Sequence, residues 1–111
     1  MSEGQKRKDV RIETDALVDY TGSEVLLFHK IENISLGGIS MRTATPEDLG
    51  TNVYITINFP DFNEVIEVEG EVVWTNHEEP KDMGVKFMAL TEKEKAVLRR
   101  YIQEKAKRAQ G

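Results

Sequence analysis

Two long runs of alternating side chains restrict this chain to a β-sheet fold. Every second residue is apolar from Asn52 to Phe59, and apolar residues alternate mostly with glutamates from Ile66 to Trp74. A period of two places the apolar side chains on one face of a strand and the polar ones on the other. One face of each strand is therefore expected to line a core, and Glu67, Glu69 and Glu71 are expected to face solvent.

Four shorter runs extend this pattern to six strands. Glycine, proline, asparagine, aspartate and serine residues separate them, at a spacing typical of a sandwich or barrel. The shorter runs are Ala16 to Tyr20, Val25 to Ile31, Ile39 to Thr43 and Met83 to Met88. Because 111 residues suit a single domain, we expect an all-β fold, a six-stranded antiparallel β-barrel, followed by one helix.

The helix is predicted at the C-terminal end of the chain. Thr91 and Glu94 have the spacing of a capping box, in which a hydroxyl and a carboxylate bond the free amides of the first turn. An apolar stripe at helical spacing then follows at Val97, Leu98, Tyr101 and Ile102. We expect this stripe to pack on an open end of the barrel. The protein is expected to be a monomer or a weak homodimer, with Tyr101 and Ile102 as the place for a dimer contact.

The expected organisation is one domain in three parts. Residues 1–15 are polar and are predicted to form a flexible arm, 16–90 the barrel and 91–108 the helix. The chain has no cysteine, which excludes a disulfide, a thiolate metal site and a cysteine nucleophile. We find neither a secretory signal nor the run of about 20 apolar residues that a membrane-spanning helix needs. A cytoplasmic location without membrane insertion is therefore expected.

The charge is distributed unevenly along the chain. The net charge is -5, but residues 1–11 carry four basic and two acidic side chains, and residues 92–111 carry seven basic and three acidic ones. The part between them has four basic and fifteen acidic residues. This acidic middle part of the chain repels a long polyanion, which argues against general binding of DNA or RNA. A small anion held by a few arginines is compatible with this distribution.

One candidate binding motif lies in the arm. Arg7 and Arg11 are four residues apart, with Lys6 and Lys8 beside the first of them. An arginine presents a planar fork of donors that fits a phosphate or the Hoogsteen edge of guanine in two parallel hydrogen bonds. The spacing alone is a weak signal, because such pairs are common by chance.

A second, more specific motif lies between the second and third predicted strands. The segment Asn33 to Gly38 has the pattern Asx-x-Ser-x-x-Gly. Asn33 offers a carbonyl oxygen to a guanine amino group, Ser35 offers a hydroxyl, and Gly37 and Gly38 let a ligand approach the backbone. Together the two motifs favour a guanine nucleotide with exposed phosphates. The residues alone also permit a purely structural interpretation, in which Asn33 and Ser35 bond their own turn and the arginines are solvated.

The order of these features resembles the PilZ domain family, small bacterial β-barrels that act as receptors for the second messenger cyclic di-GMP. The segment Arg7 to Arg11 resembles the RxxxR motif of the family, and Asn33 to Gly38 resembles its (D/N)xSxxG motif. The resemblance covers nearly the whole chain. It extends to Gly50, to the runs Gly70 to Trp74 and Gly84 to Phe87, and to the helix with Leu98 and Tyr101.

This resemblance implies a cyclic di-GMP site and a signalling role. Arg7 and Arg11 would clamp guanine and phosphate, while the second motif, with Asn33, Ser35, Gly37 and Gly38, would hold the ligand against the barrel. Lys6 and Lys8 stand where the family often has a further arginine, and they keep the charge but lose the bidentate fork. In the family, a basic residue just before the first motif arginine goes with a stacked ligand dimer. Lys6 therefore implies two cyclic di-GMP molecules per chain.

The implied mechanism is a switch in which the arm folds across the nucleotide and creates a new surface. Such a receptor would act in trans on a protein partner, in the control of motility or biofilm formation. The nearest alternative is a PilZ-like adaptor that signals only by protein contacts. A barrel that binds single-stranded nucleic acid should show aromatic residues interleaved with basic ones, and the outer face here is rich in glutamate. No catalytic residues are expected, because His29 and His77 lack partners at a suitable spacing.

Overall fold

The computed structural model describes residues 12–14, 16–59 and 62–110, apart from the side chains of 108–110. The strands and the helix follow in this order: β1 (Ile12–Glu13), β2 (Leu17–Thr21), β3 (Val25–Lys30), β4 (Asn33–Ile34), β5 (Gly38–Arg42), β6 (Asn52–Phe59), β7 (Glu64–Asn76), β8 (Asp82–Met88) and α1 (Glu92–Gln110).

The described strands form one sheet with the order β1-β4-β5-β8-β7-β6-β2-β3. Every pairing between neighbours is antiparallel, and the sheet curls into a half-barrel with the helix after it. The predicted fold class is therefore confirmed, and each of the six predicted strands is present within two residues at either end. The two additional strands, β1 and β4, have two residues each. A strand of two residues is too short to show a hydrophobic period, so it can be identified only from the strand with which it pairs.

The core lies on the concave face of the sheet, as the alternating pattern predicts. Along β6 the four apolar side chains of the pattern are all at most 4% exposed, while Asn52 and Tyr54 on the other face are exposed. On β7 the side chains of Glu67 and Glu69 face solvent and Glu71 is half-buried. The prediction of a solvated glutamate face is thus confirmed for Glu67 and Glu69, and only in part for Glu71.

The helix covers the core at one end, through the apolar stripe that the sequence shows. The capping box is present, since the Glu94 amide donates to Thr91 Oγ1 at 3.1 Å and the Thr91 amide donates to Glu94 Oε1 at 3.0 Å. Tyr101 packs against Phe59, with ring centroids 4.6 Å apart, and its hydroxyl forms a hydrogen bond with Thr14 Oγ1. The helix continues to Gln110, two residues beyond the predicted end.

Burial of this stripe corrects the expected place of a dimer contact. Tyr101 is 1% exposed and Ile102 is 7% exposed, because both side chains fill the space over their own sheet. Neither side chain is accessible to a second copy. In the described part of the chain, no helix has the length and apolar character needed to cross a membrane.

A buried carboxylate ties the β2–β3 turn to the segment after β5. Glu47 is 7% exposed, and its Oε2 accepts hydrogen bonds from the Tyr20 hydroxyl at 2.6 Å and from the Ser23 amide at 2.7 Å. Burial by itself raises the pKa of Glu47, but the hydrogen bonds from Tyr20 and Ser23 outweigh it and hold the pKa below its usual value. Burial and the neighbouring carboxylate raise the pKa of Tyr20, so that its hydroxyl remains a donor.

This cluster predicts that acid weakens the fold through Glu47. A carboxyl group whose pKa is lowered by folding stabilises the protein above the pKa of the unfolded chain, and the stabilisation is lost as the pH falls through the folded pKa. The free energy of unfolding should therefore drop below about pH 4.5, the ordinary value. Glu47→Gln should flatten this slope in urea unfolding and cost about 1–3 kcal/mol at neutral pH. The exposed Glu104→Gln serves as control, and an unchanged acid slope in Glu47→Gln would contradict the assignment.

Candidate functional site

The second sequence motif forms a compact turn that leads from β4 to β5. Asn33 pairs with Ser40, and Ile34 with Ile39, so that the residues between them reverse the chain. The Ser35 amide donates to the Gly38 carbonyl at 2.9 Å. The Ser35 hydroxyl accepts from the Gly37 amide at 3.2 Å and lies 3.4 Å from the Gly38 carbonyl. The hydroxyl of Ser35, a residue only 7% exposed, therefore fixes the shape of the turn.

The glycines of the motif allow this turn to lie directly on β8. The Phe87 amide donates to the Gly37 carbonyl at 2.8 Å, and Gly38 pairs with Lys86. A Cβ added to Gly38 would lie 2.1 Å from the Val85 carbonyl oxygen. Since that neighbour is backbone and has little freedom to move, any side chain at position 38 would push the motif away from the sheet. The glycine is thus required by the close approach of two strands.

Asn33 presents its amide at the start of the turn. Its Nδ2 donates to the Ser40 hydroxyl at 3.4 Å, a long hydrogen bond that orients the side chain. Within the residues that the structure describes, no hydrogen bond is formed by Asn33 Oδ1, and the residue is only half-buried. The carbonyl oxygen is therefore available to accept from a ligand amino group.

The first strand joins the fold at this same motif. Glu13 pairs with Asn33, and Ile12 pairs with Ile34. Arg11 is the covalent neighbour of Ile12, and so the arm enters the described fold beside the second motif. The arm residues Lys6, Arg7, Lys8 and Arg11 lie outside the described residues. The structure thus brings Asn33, Ser35, Gly37 and Gly38 together in one turn.

Sequence reasoning missed two side chains next to this turn. Ser40 contacts Asn33 across the β4–β5 pair, and the exposed Lys86 lies opposite Gly38 in the sheet. Lys86 adds a positive charge close to the motif. Both positions are brought to the motif by strand register, for which a local sequence pattern carries no signal.

The two histidines lie apart from the motif turn. His29 is in β3, and its Nε2 donates to the Arg42 carbonyl at 2.6 Å. His77 lies in the exposed loop after β7, with its Nε2 3.4 Å from the Thr75 hydroxyl. Over the described ranges, no group of three histidine or acidic side chains is arranged to hold a metal ion.

Comparison with known protein families matches residues 5–104 to the PilZ domain. The match includes both motifs, the sheet and most of the helix. A search of curated proteins found no match.

Several solved structures share the fold. The Bacillus subtilis inhibitor of motility (MotI/DgrA) is similar with a TM-score of 0.82 at 23% identity, over 96% of this chain and 55% of that one. The PilZ domain of YcgR from Escherichia coli, solved with cyclic di-GMP, has a TM-score of 0.72 at 17% identity, over 95% of both chains. The K. pneumonia MrkH complex with cyclic di-GMP has a TM-score of 0.76 at 16% identity, over 96% of this chain and 54% of that one. The chain thus spans about half the length of MotI/DgrA and MrkH.

Proposed function

Because the chain belongs to the PilZ family, we propose that it binds cyclic di-GMP and passes this signal to a protein partner. PilZ domains are non-catalytic receptors of cyclic di-GMP, and the chain is accordingly not an enzyme. The observation that carries the proposal is the motif turn: Asn33 Oδ1 is available beside β1, the strand into which the arm leads. The proposed location is cytoplasmic.

In the proposed complex the two motifs divide the recognition of the ligand. Asn33 accepts from a guanine amino group, and Ser35, Gly37 and Gly38 form the shaped backbone against which the nucleotide lies. The arm, with Arg7 and Arg11, supplies the bidentate donors for phosphate and for the Hoogsteen edge of guanine. The turn itself lacks arginine, so that the arm carries most of the attraction for the phosphates.

Binding would order the arm across the nucleotide. Residues 1–11 are polar and carry four basic side chains, so they have little apolar surface with which to fold alone. The proposed parts are an arm of residues 1–15, of which Ile12–Glu13 already pair in the sheet as β1, a barrel of 16–90 and a helix of 91–108. Ordering costs conformational free energy, which charge neutralisation and stacking of the guanines must exceed. The arm and the nucleotide together would then form the surface that the partner recognises.

Lys6 and Lys8 extend the proposal to the number of ligands. A basic residue at position 6, before the first motif arginine, supports two stacked cyclic di-GMP molecules per chain. The lysines contribute charge without the planar fork of arginine. They are therefore expected to assist phosphate binding and to add little selectivity for guanine.

Calorimetric titration of the whole chain with cyclic di-GMP tests this function. We expect micromolar or tighter binding with a ratio near two, and no heat with GTP or cyclic di-AMP as controls. Absence of heat and of any Tm shift with cyclic di-GMP would overturn the receptor function and favour the adaptor that acts only by protein contacts. A ratio near one ligand per chain would contradict only the stacked pair of ligands and would leave the receptor function in place.

A further inference from the structure

The terminal strand β3 exposes three large apolar side chains to solvent. Val25 is 63% exposed, Leu27 64% and Phe28 70%. These three residues, named here the β3 patch, lie within four consecutive positions at the end of the sheet order. Single exposed apolar residues are ordinary, but a contiguous group on a sheet edge is typical of a contact surface.

The backbone holds Phe28 in this exposed position. Phe28 has a φ of 54°, in the left-handed region that a bulky residue rarely adopts. The pairing of β3 with β2 is irregular at the same place, between Val18 and Tyr20, and the Phe28 amide donates to Asp19 Oδ1 at 2.9 Å. An aromatic ring is thus turned to solvent by a backbone in a sparsely populated conformation.

The charges at the two ends of β3 indicate what covers the patch. Glu24 precedes the strand, Lys30 ends it, and both are exposed. Suppose that two copies of β3 lie antiparallel, with Leu27 opposite Leu27 of the partner subunit. Glu24 then lies opposite Lys30 of the partner subunit. The twofold symmetry repeats this pair, so that one contact contains two opposite-charge pairs around an apolar centre. The segment is therefore complementary to itself in charge and in hydrophobicity.

We propose that the β3 patch is the contact of a weak homodimer, in which two copies of β3 lie antiparallel. The contact is made by side chains, because the irregularity at Phe28 interrupts a continuous backbone ladder. Three apolar side chains cover far less than the about 800 Å² per partner of a standard interface. The dimer is accordingly weak, and the expected monomer–dimer equilibrium lies in the micromolar to millimolar range.

The experiment is sedimentation equilibrium of the whole chain over a wide concentration range. We expect concentration-dependent dimerisation, and Leu27→Asp should raise the dissociation constant at least about tenfold by placing charge at the apolar centre. Val65→Asp is the matched control, because Val65 is 53% exposed on β7 and lies away from β3. Circular dichroism and Tm establish that each variant remains folded. A chain that stays monomeric at all concentrations would overturn the proposal and assign the patch to another protein.

Charge reversal tests the antiparallel arrangement itself. Glu24→Lys alone and Lys30→Glu alone each place like charges opposite one another twice, and should weaken self-association at least about tenfold. A mixture of the two variants restores both opposite-charge pairs, and should form a heterodimer of about the original strength. If the single variants associate like the original chain, or if the mixture does not recover, the antiparallel β3 contact is wrong.

Discussion

Replacing Arg11 by alanine is expected to lower the affinity for cyclic di-GMP at least about tenfold while leaving the fold unchanged. Arg11 directly precedes β1, which pairs with the strand that begins the motif turn. Loss of a charge-assisted bidentate contact costs about 1.5–3 kcal/mol, and each 1.4 kcal/mol is about tenfold in affinity. Arg7→Ala is expected to have an effect of the same order. Calorimetric titration measures both.

The control for this prediction is an arginine that belongs to neither motif. Arg99→Ala suits this purpose, since Arg99 is exposed on the helix. Arg11→Lys separates charge from geometry, because lysine keeps the charge and loses the planar fork. We expect its affinity to lie between those of the original chain and Arg11→Ala. Equal affinities of the original chain, Arg7→Ala and Arg11→Ala would show that the arm does not hold the nucleotide.

Tyr101→Ala is expected to lower the free energy of unfolding by about 3–5 kcal/mol, as truncation of a large buried aromatic side chain does. The Tyr101 ring packs against Phe59 and lies 5.7 Å from the Phe62 ring. Removing the ring leaves a cavity between the helix and the sheet. Because a small domain has a total stability of about 5–15 kcal/mol, this loss is a large share of it. Urea unfolding followed by circular dichroism measures the change.

The variant Tyr101→Phe distinguishes the ring from the hydroxyl. It keeps the packing and removes the hydrogen bond to Thr14, so that a loss of about 1 kcal/mol is expected. The exposed aromatic Tyr54, on the convex face, provides the control Tyr54→Ala, for which a change within about 0.5 kcal/mol is expected. A loss below about 1.5 kcal/mol in Tyr101→Ala would contradict the role of this ring as a core residue.

The sequence predicts the sheet and the helix well because burial is one-sided in both. In β6 the apolar residues from Val53 to Phe59 are spaced by two, and in α1 Leu98 and Tyr101 follow the helical spacing. Each pattern states which face is buried. The same logic fails for the dimer contact, since an apolar stripe gives no indication of whether its own sheet or a second copy covers it.

The motif turn is only partly predictable. Its glycines and Ser35 are visible in the sequence, but the reason for Gly38 is the Val85 carbonyl on β8, far away in the chain. Likewise the strand β1 is two residues long, and its pairing with Asn33 and Ile34 depends on the register of the whole sheet. Long-range register is set by packing of many side chains together, so a local pattern does not contain it.

The contacts that close the half-barrel beside β3 are made by side chains. His29 reaches the Arg42 carbonyl, and Glu47 holds Ser23, whereas the interior strands β7 and β8 are joined to both neighbours by backbone ladders. Breaking these side-chain contacts beside β3 therefore leaves the central backbone ladders intact and requires less free energy than global unfolding. In native-state hydrogen exchange, the amide hydrogens of β3 should exchange for deuterium well before those of β7. We therefore expect β3 to unfold locally while the centre of the sheet keeps its structure.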